Sequence, residues 1–119
     1  MSDNKVINVY ESEKELEICH EGEGFIKKKR AFSFEDFESS LDFIDYIEIP
    51  PKAKIGIHQH DLNEEVYFIV SGTGMMHLNN GQERIIKSGD VIVNPVYGTH
   101  GLVNNSEDEM KVFIFQASL

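Results

Sequence analysis

Short apolar runs separated by glycine, proline and asparagine make up most of this chain. Phe43–Ile49 alternates apolar and polar residues, as a half-buried strand does, and Pro50-Pro51 ends it because proline lacks an amide donor. Further apolar runs lie at Val66–Val70, Val91–Val93 and Met110–Phe115. Runs this short, bounded by turn residues, are typical of a β-sandwich or barrel. The pattern therefore predicts an all-β domain.

The remaining segments add minor elements. Val6–Tyr10 is predicted to be a short edge strand, and Phe25–Phe34 to be extended chain. Ser33 and Asp36 have the spacing of a helix capping box, which we expect to support one helical turn at most. Asn79–Gly81 lies between two strand-like runs, and Asn-Gly is a strong β-hairpin signal.

The stretch Ile57–Gly72 carries the most specific chemistry. His58 and His60 are two residues apart, so on an extended strand both side chains lie on one face. Glu65 starts the following apolar run, which we predict to be the antiparallel partner strand that brings its carboxylate back toward the imidazoles. Two neutral imidazoles and one carboxylate are an open ligand set for a divalent transition metal.

A second stretch supplies a third imidazole. Lys87–Asp90 is predicted to be a turn and Val91–Val93 a short strand. Asn94–Thr99 is then a loop that ends at His100, with Asn104 further on.

Together the two stretches resemble the two signatures of the cupin superfamily. The first runs His58-x-His60, four residues, Glu65, six residues, Gly72. The second runs Gly89, five residues, Pro95, four residues, His100, three residues, Asn104. The resemblance covers residues 50–104. It implies an all-β, double-stranded β-helix (jelly-roll) barrel of the cupin type over residues 1–119, a single domain.

The resemblance also implies a ligand set. Cupins hold one metal inside the barrel through the residues that correspond to His58, His60, Glu65 and His100. The cofactor would be one divalent transition metal ion per chain, with Mn, Fe, Ni, Zn and Cu all open. The alternative is a metal-free polar pocket, but four such groups inside a small barrel would be costly unless paired or ligated. Lys52 and Tyr97 stand where the family usually has glycine, which affects turn geometry without removing a ligand.

Composition narrows the class of protein. At 119 residues the chain can bury roughly two-thirds of its surface as one domain. Cys19 is the one cysteine, expected to be a small buried residue rather than a nucleophile. With no signal-peptide pattern and no bilayer-length apolar run, we expect a cytoplasmic protein without membrane contact. The formal net charge of -10 argues against nucleic acid as a partner. We interpret the basic run Lys27–Arg30 as a solvated strand face rather than a phosphate or carboxylate patch.

Tyr67 and His77 are the catalytic candidates. Tyr67 shares strand parity with Glu65, so we expect its hydroxyl to line the pocket as a substrate contact. His77 would be a proton donor on a pocket wall and inert on an outward face, and the sequence leaves that choice open. Asn104 is expected to hold a turn by hydrogen bonds, and His20 to lie at the surface.

Two functions compete for this sequence. A metalloenzyme would act on a small organic acid, sugar or enol-type substrate, with the metal as Lewis acid. A non-catalytic module would bind a small molecule or metal in the same pocket. In either case we expect a homodimer with contacts from residues 1–49, because cupin-like barrels commonly pair and the chain is rich in apolar residues near its N-terminus. Those residues are Phe25, Ile26, Phe32, Phe34 and Phe37.

Overall fold

The structure, a computed structural model, describes residues 3–119, and strands account for most of them. Its strands are β1 (Glu15–Glu17), β2 (Ile26–Ser33), β3 (Leu41–Ile49), β4 (Lys54–Gln59), β5 (Asn63–Ser71), β6 (Thr73–His77), β7 (Glu83–Lys87), β8 (Val91–Asn94), β9 (Thr99–Val103) and β10 (Met110–Ser118). A single turn of 3-10 helix, Phe34–Asp36, separates β2 from β3. The predicted all-β class is confirmed.

The strands form two antiparallel sheets. One has six strands in the order β1-β2-β3-β10-β5-β8, and the other has four in the order β4-β9-β6-β7. Between residues 3 and 119 no strand ladder joins the edges of the two sheets. The sequence predicted a closed barrel, and the structure shows two facing sheets instead. The chain crosses from one sheet to the other through loops, so no strand is shared by both sheets in this range.

The hydrophobic core lies between the two sheets. Alternate residues of β3 and β10 point inward, so Ile47 and Ile49 meet Val112 and Met110 across the register of that pair. Leu102 of β9 belongs to the same cluster from the opposite sheet. Burying each such side chain stabilises the fold by about 1.5–3 kcal/mol relative to exposure. This core is the support against which the polar side chains at one end of the sheets are placed.

The predicted pairing of the two strands around His58 and Glu65 is wrong. β4 pairs with β9 in the four-stranded sheet, whereas β5 lies between β10 and β8 in the six-stranded sheet. Asp61 and Leu62 carry the chain from one sheet to the other. The carboxylate still faces the imidazoles, because inward-pointing residues of facing sheets approach one another across the interior.

Of three local elements predicted from the sequence, a short helical turn and a hairpin are present, and an edge strand is not. Val6–Tyr10 is not a strand, because the Asn8 side chain accepts hydrogen bonds from the backbone of Tyr10 and Glu11 and turns the chain. The single helical turn after Ser33 is confirmed, and the backbone N–H of Ser33 donates to the Asp36 carboxylate at 2.9 Å. The hairpin at Asn79–Gly81 is confirmed as the connection between β6 and β7.

The two positions that depart from the cupin signatures keep the backbone that glycine would adopt. Lys52 has φ +71° and Tyr97 has φ +59°, both in the left-handed region. The N–H of Lys52 donates to the Asn104 carbonyl at 2.8 Å, and the N–H of Tyr97 donates to the Asp61 carbonyl at 2.9 Å. The two loops therefore retain their turns at the cost of strain in non-glycine residues.

Asn104 organises the loop before β10, as predicted. It is fully buried, and its amide group donates to the carbonyls of Ile49 and Asp108, each at 2.8 Å. Its side-chain oxygen accepts from the backbone and hydroxyl of Ser106. Asn104 is thus a structural residue with its hydrogen bonds made. Among residues 3–119 there is no helix with the length and apolar character needed to cross a bilayer.

Candidate metal centre

Three imidazoles and one carboxylate converge at one end of the interior. His58 lies in β4, His60 follows that strand, Glu65 lies in β5 and His100 lies in β9. One ligand atom from each of the four lies within 4.8 Å of the others. His60, Glu65 and His100 are 8, 6 and 1% exposed. The structure thus brings together the four residues that the cupin signatures imply.

The backbone explains this convergence. His58 of β4 is directly opposite His100 of β9 in the antiparallel register, so their rings lie 4.4 Å apart between centroids. His60 is held next to them because its N–H donates to the Gly98 carbonyl at 2.9 Å. Glu65 enters from the facing sheet, where it pairs with Asn94 of β8.

Two of the imidazoles are oriented by hydrogen bonds on their outer nitrogens. His58 Nδ1 lies 2.8 Å from the Gly56 carbonyl oxygen, which can only accept, so Nδ1 carries the proton. His60 Nδ1 lies 2.6 Å from the side-chain oxygen of Asn63. Nε2 of both rings is then left as a lone pair, buried without a hydrogen-bond partner. Such outer contacts orient metal-binding imidazoles in proteins.

The donor atoms have the spacing of ligands around a single ion. Glu65 Oε1 lies 2.9 Å from His60 Nε2 and 3.3 Å from His100 Nε2, yet this oxygen makes no hydrogen bond. Two lone pairs that face each other at this distance repel unless a proton or cation lies between them. Atoms bound to one first-row ion at about 2.1 Å lie about 3.0–3.4 Å apart. The residues therefore fit a divalent transition metal.

Burial keeps the His58 ring neutral. Desolvation lowers the pKa of His58 from 6.5 to about 4, and the hydrogen bond to Gly56 opposes this shift only in part. A neutral imidazole is the form that ligates metals. His58 is thus available as a ligand across the neutral and mildly acidic range.

A cavity of about 370 Å³ opens beside the four residues. Tyr67 lines it, with its hydroxyl 3.3 Å from His100 Nε2, and complete burial raises the pKa of that hydroxyl well above 10. Cys19 also lines it, and burial together with the hydrogen bond to Glu17 raises the pKa of the thiol to about 12. Both groups are therefore protonated at neutral pH, and the expectation that Cys19 is not a nucleophile agrees with this environment.

Four charged residues, Glu17, Lys28, Arg30 and Asp45, also line the cavity and form what we call its charged wall. Arg30 donates two hydrogen bonds to the buried Asp45 carboxylate, at 2.9 and 3.0 Å. Lys28 Nζ lies 3.2 Å from Glu17 and 3.9 Å from Asp45. The basic run is thus more than the solvated face that was predicted, because Lys28 and Arg30 line the cavity and are ion-paired there, although the Arg30 side chain is still 45% exposed.

Two other histidines do not belong to the convergent group. His77, whose direction the sequence left open, lies on the outer face of the four-stranded sheet and lines a different cavity of about 380 Å³, which none of the four convergent residues lines. His20 is exposed, as expected, but its ring is also stacked on His58. Sequence reasoning missed His20 and Asn63 as parts of the site, since their roles depend on contacts between segments that no local pattern encodes.

Comparison with known proteins identifies a family and similar folds. The sequence model of the cupin domain matches residues 45–115, which include all four convergent residues. The oxalate-binding protein of Thermotoga maritima is 27% identical over 90 residues, or 76% of this chain and 74% of its own length.

Solved structures show the same fold. A predicted oxalate decarboxylase from Thermotoga maritima superimposes with a TM-score of 0.92 at 24% identity, covering 97% of this chain and all of its own. The polyketide cyclase RemF from Streptomyces resistomycificus superimposes with a TM-score of 0.79 at 14% identity, covering 98% of this chain and 80% of its own. At these identities the likeness concerns the fold alone.

Proposed function

The chain belongs to the cupin domain family, and from this premise we propose that it binds one divalent transition metal ion and, on that ion, a short organic acid of the oxalate class. The ligands are His58, His60, Glu65 and His100. Binding is the primary function in this proposal, and catalysis on the bound acid is the second candidate.

The observation that supports the metal is the set of buried donor atoms without hydrogen-bond partners. Nε2 of His58 and His60 and Oε1 of Glu65 lie close to one another and have almost no solvent-accessible surface. Unpartnered buried polar atoms are rare, because each loses its hydration without compensation. When bound there, the ion supplies a Lewis-acid centre with positions open to oxygen atoms of a ligand.

The charge of the site favours an anionic ligand. Glu65 supplies one negative charge, and neutral imidazoles supply none, so a divalent ion would retain a net positive charge. The 27%-identical Thermotoga protein is named for binding oxalate, which carries two adjacent carboxylates. An acid of this kind matches the requirement for anionic oxygen donors.

The charged wall argues for a short acid. Its two cations, Lys28 and Arg30, are already paired with two carboxylates, Glu17 and Asp45. A long diacid reaching the wall would have to displace one of these pairs. A short diacid can place both carboxylates at the metal and leave the wall intact, so we propose that the wall limits ligand length.

Elemental analysis followed by calorimetry tests this function. We expect one metal equivalent per chain and binding of oxalate that is stronger than binding of glutarate, with no binding of a neutral sugar. Glu65→Gln should weaken metal binding, because it removes the fixed charge with little change of shape. Glu64→Gln, one residue earlier and exposed, is the matched control. Sugar binding without any acid binding would overturn the proposal.

Catalysis on the bound acid is the second candidate, and Tyr67 favours it. Of the two catalytic candidates from the sequence, Tyr67 lines the cavity and His77 does not. With its raised pKa the Tyr67 hydroxyl is a hydrogen-bond donor next to the metal ligands. Turnover of oxalate by the metal-loaded protein, lost in Tyr67→Phe while oxalate affinity persists, would establish an enzyme. No turnover would leave the binding function.

We also propose that the protein is a homodimer. Phe25 and Phe34 are 59 and 66% exposed, which is apolar surface that a partner subunit could cover. Ile26 is fully buried in the core of the single chain and cannot contribute to that contact. Light scattering at micromolar concentration should give twice the mass of the chain, and a monomer mass would contradict the dimer.

A further inference from the structure

His20 lies against the metal site without belonging to the ligand set. Its ring is stacked on that of His58, with centroids 3.5 Å apart and planes inclined by 7°. It also lines the cavity next to the four ligands. His58 is only half-buried, so one face of its ring depends on His20 for cover.

A tightly docked turn places His20 there. The turn Cys19–Gly22 is closed by the Gly22 N–H, which donates to the Cys19 carbonyl at 2.9 Å. The same carbonyl accepts from the N–H of Gly56 in β4 at 3.0 Å. The register of β4 with β9 shifts between Ile55 and His58, which leaves this N–H free to hold the turn.

Two glycines permit this close approach. A Cβ at Gly22 would collide with the carbonyl oxygen of Lys54, and a Cβ at Gly56 would collide with the carbonyl oxygen of His20. The backbones of the turn and of β4 are therefore in direct contact at both glycines. The position of His20 is fixed by main-chain atoms and not by a flexible side chain alone.

The turn is also strained. His20 has φ +51° and Glu21 has φ +57°, two consecutive residues in the left-handed region that favours glycine. A strained segment that persists beside a site points to a functional demand on its conformation. Here the demand is the placement of the His20 ring.

We infer that His20 is a positioning residue, which clamps the His58 ring in the plane that directs Nε2 at the metal. The inference rests on the proposed metal site. Stacking excludes a role as a further ligand to the same ion. The two rings are stacked nearly parallel with their centroids 3.5 Å apart, so the nitrogen lone pairs of His20, which lie within its own ring plane, are not directed at the point that His58 Nε2 faces.

Metal titration of three variants tests the inference. His20→Ala removes the stack and should weaken binding of Co²⁺ on the order of tenfold, the lower range for loss of a supporting contact. It should also alter the visible absorption spectrum of the Co²⁺ complex, because the orientation of His58 changes. His20→Phe restores a flat ring without nitrogen and should restore both affinity and spectrum. His77→Ala, which removes an imidazole from the outer sheet face, should change neither.

A fourth variant tests the turn that holds the His20 ring, without removing the ring itself. Gly22→Ala keeps His20 but should displace the turn from β4, and it is expected to reproduce the spectrum of His20→Ala. Unchanged affinity and spectrum in His20→Ala would overturn the inference. Impairment that His20→Phe does not rescue would also overturn it, because a nitrogen of His20 would then be required.

Ring resonances of His58 in the metal-free protein separate this inference from the proposed function. His20→Ala should shift them through loss of the stacked ring, whatever the protein binds. If His20→Ala shifts these resonances but wild type takes up no metal, the proposed function fails and the ring contact stands. If wild type binds metal and neither the resonances nor the affinity respond to His20→Ala, the inference fails alone.

Discussion

Two groups of polar residues that line the cavity differ in whether their buried atoms make hydrogen bonds. At the metal site, His58, His60 and Glu65 present buried donor atoms that make no hydrogen bond. At the charged wall, the buried carboxylate of Asp45 is matched by two hydrogen bonds from Arg30. The charged residues are paired within the chain, whereas the convergent residues keep buried donor atoms that make no hydrogen bond. In the proposed function the convergent residues bind the metal and the acid, and the charged wall limits the length of that acid.

The largest expected effect is the loss of metal binding when two of the convergent imidazoles are removed. We expect the His58→Ala, His60→Ala double variant to lose metal binding, because it retains only one imidazole and one carboxylate. Elemental analysis after purification without chelating resin checks this outcome. His77→Ala is the control and should keep the full metal content of wild type. A double variant that retains a full equivalent would show that the ligand assignment is wrong.

Breaking the charged wall should destabilise the fold rather than abolish metal binding. Arg30→Met leaves the buried Asp45 carboxylate without its two hydrogen bonds, which should cost about 1–3 kcal/mol of unfolding free energy. Urea denaturation measures this loss. Arg84→Met, at an exposed position in β7, should have little effect. If Arg30→Met and Arg84→Met had the same unfolding free energy, the Arg30–Asp45 ion pair would not stabilise the fold.

Acidic pH should lower the unfolding free energy of the metal-free protein, because His58 is buried in its neutral form. Because the folded pKa of His58 is about 4 and the ordinary value is 6.5, the unfolded chain binds a proton in this interval that the folded chain does not. The stabilising contribution is fully present above pH 6.5 and is lost as the pH falls toward 4. Urea denaturation at several pH values should show the decline, and His58→Asn should reduce it. An unchanged slope in His58→Asn would contradict this assignment.

Relieving loop strain beside the metal site should have the smallest effect. Tyr97 has φ +59° in the loop that precedes His100, so Tyr97→Gly should raise the unfolding free energy by about 1 kcal/mol. Thermal denaturation measures the gain. Glu107→Gly is the matched control, because this exposed residue has no positive φ and should lose stability. A loss in both variants would indicate that the Tyr97 side chain stabilises the loop.

The convergence of His58, His60, Glu65 and His100 could be predicted from the sequence, because the spacing that carries it lies within two short stretches. The spacing of His58 and His60 places both on one side of an extended chain whichever strand lies beside them. The same parity placed Tyr67 with Glu65, and in the structure both line the cavity. The signature spacing added His100 without any knowledge of strand pairing.

Strand partners and the contacts that follow from them could not be predicted in this way. β5 pairs with β10 and β8, not with β4, and no period-two pattern distinguishes these arrangements. The position of Lys28 and Arg30 beside the cavity depends on which sheet covers β2. His20 reaches His58 only because a distant glycine, Gly56, admits the turn.

Anomalous diffraction from crystals grown with Co²⁺ and oxalate tests the central claim most directly. We predict a single anomalous peak per chain among His58, His60, Glu65 and His100 at about 2.0–2.3 Å from their donor atoms, with oxalate oxygens completing the coordination. The Lys28 and Arg30 ion pairs should remain intact beside the ligand. A peak at another location, or no peak among these four residues in metal-saturated crystals, would contradict the account.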